Sequence, residues 1–316
     1  MSASASASAS ASASASASAS ANADEGQRIS VSPDLIADFH RDGYVMMPDA
    51  ISAAQVARLT AVLDRWTEDS RAHAGPYGEM LDGRPRFDVQ PDAHSAVAPA
   101  LRRVASPVDV DSDFWDVAQD NAALDLTAAI FSPNIKFYAS KVNLKLPGSR
   151  TEVKYHQDFP FDPHTNMDMM TVLIFLDDVT MENGPLQLVP GSHKGPLHTL
   201  WHDGRFTGAV SVEVEAMAAE KAVACVGRAG DACLMHSAVL HGSSANLSTD
   251  PRRLFIITYV AEDAQPFVAN PIPTIHDGTV VRGEATGRVR AVPFEMDLPE
   301  YPKTASFFGQ QEGQTG

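Results

Sequence analysis

Cysteine is nearly absent. The 316-residue chain holds two, Cys225 and Cys233, so no disulfide framework can carry the fold and a hydrophobic core must do so. Both stand in apolar, strand-like surroundings, the pattern of reduced, buried thiols in a cytoplasmic protein. Basic residues are scarce as well. Lys and Arg number 24 against 40 Asp and Glu, and a net charge of −16 without any Lys/Arg run repels a polyphosphate backbone, so nucleic acid is not an expected partner. Long apolar runs are missing: Met169 to Leu176, interrupted by Thr171, falls far short of the roughly 20 residues that span a bilayer, and no membrane partner is expected. What the chain does have is a hydrophobic content of 44%, enough for a sizeable core.

The first 28 residues include a Ser-Ala repeat with no charged start and no apolar stretch, which reads as a disordered tail rather than a signal peptide. Residues 29–316 read as a single domain in three parts. The first, 33–134, is helical. Ser32-Pro33 opens a helix over Asp34 to Arg41, Gly43 stops it, Tyr44 to Met47 forms a short strand, and Ser52 caps a second helix to about Ser70. Gly75 to Val110 is rich in Gly, Pro, Arg and Asp without clean periodicity and reads as a loop, either a lid or plain surface, with Arg84, Arg86, Arg102 and Arg103 as possible anchors for a substrate. Ser112 caps a third helix that continues to Ser132. From 135 to 262 the pattern turns to short strands between turn signals, among them Val210 to Val214, Ala222 to Val226, Asp231 to Met235 and Leu254 to Val260. That order predicts a mainly β fold with flanking helices, a double-stranded β-helix or jelly roll of cupin-like type. The remainder, 263–316, reads as an extended arm over the barrel.

The chemistry concentrates in Tyr155-His156-Gln157-Asp158. On a strand, residues two apart share a face, so His156 and Asp158 converge with about 6 to 7 Å of backbone between them. A metal half-site results, and His241 is the best third ligand. His236, an odd number of residues earlier, would face the other way on a regular strand. Two histidines and one carboxylate leave half of an octahedral shell open, the facial triad of non-haem Fe(II) oxygenases; the same donors also suit a catalytic zinc in a hydrolase or isomerase. Between His241 and Arg252 lie turn formers, so the two flanks are expected to return as adjacent strands and bring Arg252 near the metal. Its guanidinium fork suits the far carboxylate of a five-carbon keto-diacid whose keto end chelates the metal. Arg253 is the alternative, pointing the other way. His193 reads as structural, His198 and His202 as core or pocket wall, Phe159 and Phe161 as core or substrate lining, and Asp162 and His164 as loop residues.

Beyond these residues the chain resembles the phytanoyl-CoA dioxygenase family of Fe(II)/2-oxoglutarate oxygenases. The matching pieces, in order, are Asp42-Gly43-Tyr44-Val45, Lys145-Leu146-Pro147-Gly148, Tyr155-His156-Gln157-Asp158 and Leu176-Asp177-Asp178-Val179. They continue with Asn183-Gly184-Pro185-Leu186, Pro190-Gly191-Ser192-His193, His241-Gly242-Ser243, Asn246 and Arg252. The resemblance implies His156, Asp158 and His241 as iron ligands and Arg252 as the partner of the distal 2-oxoglutarate carboxylate. It adds Lys145 or Asn143, with Ser243, as further co-substrate contacts; Thr171, on the central strand, joins them. Leu173 departs from the tryptophan of many relatives. The implied reaction uses Fe(II), 2-oxoglutarate and O2 to oxidise a C–H bond of a small molecule, with succinate and CO2 as co-products. The carboxylate of Asp158 argues for hydroxylation over halogenation. The competing reading from a different class is a non-catalytic jelly-roll binding protein with a vestigial site.

Overall fold

The computed structural model describes residues 31–147, 151–300 and Gln311; the Ser-Ala tail, Gly148 and the end of the arm lie outside these residues. Two antiparallel sheets face each other. In the larger, the strands run in the order Tyr44–Met47, Ala232–His236, Met169–Phe175, Arg252–Ala261, Ile135–Lys145, Leu101–Ala105, Arg84–Val89, Tyr77–Leu81. The smaller runs Val223–Cys225, Leu186–Leu188, His241–Ser243, Val153–His156. Strands distant in sequence are thereby neighbours, which is the jelly-roll arrangement expected from the strand pattern. Met169–Phe175 is buried at every position because it lies between two partners with a layer on either side, and its sequence is accordingly apolar on both faces.

Local signals explain the helices. Ser32 Oγ accepts from the Leu35 amide, and Gly43, at φ 81°, ends the helix Pro33–Asp42. A side chain at Gly43 would collide with the His193 ring and Val239, so this turn requires glycine on two counts. Ser52 and Gln55 form a reciprocal capping box for Ala53–Asp69, whose stripe of Leu59, Val62, Leu63 and Trp66 packs on the outer face of the large sheet.

Four expectations are corrected. The stretch from Gly75 to Val110 is no loop: it supplies three strands, Tyr77–Leu81, Arg84–Val89 and Leu101–Ala105, that extend the large sheet. Its alternation was present but inverted in polarity, with Arg84, Arg86 and Asp88 buried while Pro85 and Phe87 are half-exposed. Second, the third helix begins after Asp111 and breaks into Ser112–Gln119 and Ala122–Ile130. Asn121 makes the break, since its Oδ1 accepts from the Leu124 amide and starts a new helix while its Nδ2 donates to Val117 O and to the Tyr259 hydroxyl. Third, Val210 to Val214 is not a strand: Ser211 caps a helix, Val212–Lys221, with Glu213 and Glu215 in its first turn and Lys221 in its last. Fourth, His241 and Arg252 stand on opposite sheets rather than on adjacent strands.

The C-terminal segment does lie along the domain. Val280–Arg282 pairs with the start of the Ile135–Lys145 strand. Arg282 meets Asp120 and Asp125, and Arg290 meets Asp263 and Asp168.

Candidate metal centre

Sheet register creates the centre. His156 ends one strand of the small sheet and His241 begins its neighbour, and the two are directly opposite each other. Their rings stand 4.2 Å apart between centroids. Asp158 lies just past the strand, in a bend, with its Oδ1 3.6 Å from Nε2 of each histidine. Among the described residues, no other group of His, Cys, Asp and Glu has spacing fit for a metal ion.

Every one of the three is oriented by a further bond. Nδ1 of His156 pairs with Lys154 O at 2.8 Å and Nδ1 of His241 with Val239 O at 2.9 Å. A carbonyl can only accept, so Nδ1 carries the proton in both rings and Nε2 keeps its lone pair for a metal. The Thr171 hydroxyl donates to Asp158 Oδ2 at 2.7 Å, leaving Oδ1 toward the histidines. Gln157, between the two ligands, turns the other way: its amide donates to Ala238 O and Pro196 O and accepts from the His198 amide, tying the His156–Asp158 bend to the loop that enters His241. Burial alone would push the Asp158 carboxyl up, yet His241, His156 and Lys141 hold it well below the usual carboxylate range. Burial, then the neighbouring His156, pushes His241 down to about 4. The centre therefore presents Nε2 of each imidazole and one anionic oxygen of Asp158.

The remaining sequence-derived candidates separate cleanly. Arg252, Lys145, Asn143, Ser243 and Thr171 line one cavity with the three metal-centre residues. Arg252 is 3% exposed, and its Nε has no hydrogen-bond partner among the described residues. Desolvation lowers its pKa to about 10, so it stays charged at neutral pH. Lys145 Nζ donates to Ser243 Oγ at 2.8 Å and to Ser244 O, and burial, with Arg252 nearby, lowers it to about 6. Asn143 Oδ1 is buried with no hydrogen-bond partner among the described residues. Leu173 is on the apolar wall of this cavity with Leu186, Met235, Leu254 and Ile256. Arg253 points away, onto Asp177 and Asp64.

His236 is not in the centre; its ring sits among Phe39, Phe131 and His193, and burial pushes its pKa to about 3. His202 bonds to Ala209 O. One residue escaped sequence reading: Lys141, which lines the cavities on both sides of the centre. The signal was Lys141, Asn143 and Lys145 at spacing two on one strand, which fixes a single face.

A two-histidine, one-carboxylate centre between the sheets of a jelly roll is the architecture of a non-haem iron oxygenase. Residues 39–254 match the family model described as phytanoyl-CoA dioxygenase (PhyH), and the chain belongs to this family. A probable alpha-ketoglutarate-dependent hypophosphite dioxygenase of Stutzerimonas stutzeri is 35% identical over 82% of this chain and 89% of that protein. The L-proline trans-4-hydroxylase of Streptomyces griseoviridis is 27% identical over 73% of this chain and 88% of that protein. In fold, EctD from S. alaskensis, solved with 2-oxoglutarate and 5-hydroxyectoine, superposes with a TM-score of 0.61 at 22% identity, over 85% of this chain and 88% of that one. The chain is thus an iron- and 2-oxoglutarate-dependent dioxygenase. No helix among the described residues is long and apolar enough to cross a membrane.

Proposed function

We propose that His156, Asp158 and His241 ligate Fe(II), that Arg252 pairs with the distal carboxylate of 2-oxoglutarate in the cavity they share, and that the enzyme oxidises a small molecule. The observation that carries this reading is Arg252 itself: a charged guanidinium, fully enclosed, with an unpartnered Nε in the cavity that the metal donors line. An enclosed cation of this kind calls for an anion, and a zinc hydrolase would offer it none.

When bound, the iron, 2-oxoglutarate and O2 supply the oxidising chemistry; the chain supplies placement. The Lys154 and Val239 carbonyls fix the tautomer of both imidazoles, and Thr171 fixes which carboxylate oxygen of Asp158 faces the metal. Thr171 therefore acts through Asp158 as well as lining the co-substrate cavity. Lys145 holds Ser243 toward the co-substrate, and Asn143 offers a carbonyl beside them. The wall of Leu173, Leu186, Met235, Leu254 and Ile256 excludes water, which strengthens the Arg252–carboxylate pair. The relatives' named substrates, hypophosphite, proline and ectoine, are all small, and we assign this chain a substrate of that size. A cytoplasmic setting accords with two free thiols, Cys225 and Cys233, whose sulfurs lie 3.7 Å apart.

The test is substrate-independent turnover of 2-oxoglutarate to succinate by the Fe(II)-loaded protein. His156→Ala, Asp158→Ala and His241→Ala are each expected to abolish it, and Arg252→Gln to raise the 2-oxoglutarate KM by about a hundredfold, the effect of removing a charge-assisted, bidentate pair. Full succinate release from His241→Ala would refute the ligand assignment.

A further inference from the structure

A second cavity opens on the other side of the metal centre. His156, Asp158 and Lys141 belong to its wall as they do to the first, but the remaining lining comes from Arg84, Arg103, Phe161 and Asp162, and from Pro271, Ile272, Pro299 and Glu300 of the C-terminal segment. It is small, about 70 Å³. The strands Arg84–Val89 and Leu101–Ala105 bring the arginines here. Arg103 pairs in register with Asp88 on one side and Asn143 on the other, and Ala105 pairs with Lys141, so these strands continue the same concave face.

The four arginines of this region fall into two kinds. Arg102 is matched by Asp88 at 2.6 Å, and Arg86 is matched by Glu79, by Asp109 at 3.5 Å and by the Ser106 carbonyl at 2.8 Å. Those two are structural ion pairs. Arg84 and Arg103 instead line the cavity, Arg84 donating to the Pro271 carbonyl. Arg103 is 5% exposed and its Nε has no partner among the described residues. Around this cavity three cations, Arg84, Arg103 and Lys141, face three carboxylates, Asp158, Asp162 and Glu300. Desolvation lowers Arg103 to about 10, so it remains charged at neutral pH. A divalent metal on Asp158 would tip this balance to positive beside the Arg103 Nε, which has no partner among the described residues. Enclosed positive charge of this kind is stable only with an anion against it.

On the reading that the first cavity holds 2-oxoglutarate, we infer that the second is the substrate site and that it takes a small oxyanion, a phosphorus oxyacid or a short carboxylate, gripped by Arg103 and Lys141 beside the metal. The apolar side, Phe161, Pro271 and Ile272, offers a dry wall to a short hydrocarbon part of that anion. The bond oxidised is a P–H or C–H bond of that anion. One atom of O2 enters succinate as 2-oxoglutarate loses CO2, and the other is inserted into the substrate bond to give P–OH or C–OH, so no further reductant is needed.

The experiment uses the full chain with Fe(II) and 2-oxoglutarate. Hypophosphite, phosphite, formate and acetate are added in turn at constant ionic strength, with chloride as control. Perturbation of the anaerobic visible band of the Fe(II)–2-oxoglutarate complex is recorded beside succinate release. At least one oxyanion is expected to shift the band and to raise succinate release about tenfold or more over chloride. Response to the phosphorus acids alone or to the carboxylates alone assigns the source; either supports the site. Arg103→Gln is expected to raise the half-saturating oxyanion concentration about tenfold, the loss of one charge-assisted hydrogen bond, with half-saturation by 2-oxoglutarate changed less than about threefold. The band itself reports whether each variant is folded, and Arg103→Lys, expected to raise the same concentration about threefold because it keeps the charge but loses the fork, carries the test if Arg103→Gln is not. A band that forms but answers to no oxyanion, or variants that bind the oxyanion as the parent does, would overturn the inference. Absence of any band in the parent would instead refute the co-substrate reading on which it rests.

Discussion

Replacing Thr171 by Val tests how the metal centre is oriented. The substitution keeps the branched shape at a buried position and deletes only the hydroxyl that donates to Asp158 Oδ2 at 2.7 Å. A hydrogen bond to a charged acceptor contributes about 1.5 to 3 kcal/mol, and its removal leaves Oδ2 unsatisfied and the carboxylate free to rotate. Loss of a group that orients a metal ligand weakens metal binding by roughly 10- to 100-fold, about 1.4 to 2.7 kcal/mol, so the two routes agree. The assay is anaerobic equilibrium titration with Fe(II), with Co(II) as a redox-stable check. Thr171→Ser should recover most of the loss because it restores the donor. Affinity of Thr171→Val within about threefold of the parent would show that Asp158 needs no such support, and the account of the centre would be wrong on this point.

Other perturbations probe separate parts of the structure. Gly184 has φ 83°, and a Cβ there would stand 2.7 Å from Ser244 O and 2.9 Å from Lys145 Cδ, so Gly184→Ala should cost about 1 to 3 kcal/mol and weaken 2-oxoglutarate binding together, read by denaturant unfolding and KM. Tyr259 donates to Ala118 O at 2.6 Å and accepts from Asn121 at 2.9 Å, so Tyr259→Phe should cost about 1 to 3 kcal/mol in the same unfolding assay while the 2-oxoglutarate KM stays put. In the metal-free protein, desolvation and the nearby Asp158 raise the Asp162 carboxyl to about 7. Between pH 4 and 7 the native state then holds a proton that the unfolded chain has released, so stability falls as pH rises through that window. Asp162→Asn removes the penalty: its Tm should match the parent's at pH 4 and exceed it at pH 8, by up to about 4 kcal/mol in stability. A pH-independent difference would refute this.

The site was legible in the sequence to the extent that its chemistry is carried by rare residue types at fixed spacing. His156 and Asp158 at spacing two, His241 before a glycine, and Arg252 after a run of turn formers are each visible without coordinates, and the four do line one cavity. What was hidden was the partnership of strands. His241 and Arg252 seemed destined for one hairpin, but the first pairs with His156 and Leu188 and the second with Lys145, on facing sheets. A sheet in which distant strands pair leaves no local trace of which neighbour each strand will have. The stretch from Gly75 to Val110 failed for another reason. Strand recognition relies on apolar residues facing inward, and here Arg84, Arg86, Arg103 and Asp88 face inward instead, as they do where a protein encloses charge for a purpose. The misreading of Val210 to Val214 was avoidable, since Ser211 with Glu213 and Glu215 spells a helix start.

The central claim is that one cavity joins a two-histidine, one-carboxylate iron centre to an arginine that receives 2-oxoglutarate. Anaerobic addition of Fe(II) and then 2-oxoglutarate to the metal-free protein tests it without knowledge of the substrate, because a keto acid chelated to Fe(II) produces a visible charge-transfer band. The account predicts a band in the parent, none in His156→Ala or His241→Ala, and a band in Arg252→Gln only at far higher 2-oxoglutarate concentration. Tight Fe(II) binding with no band at saturating 2-oxoglutarate would contradict it.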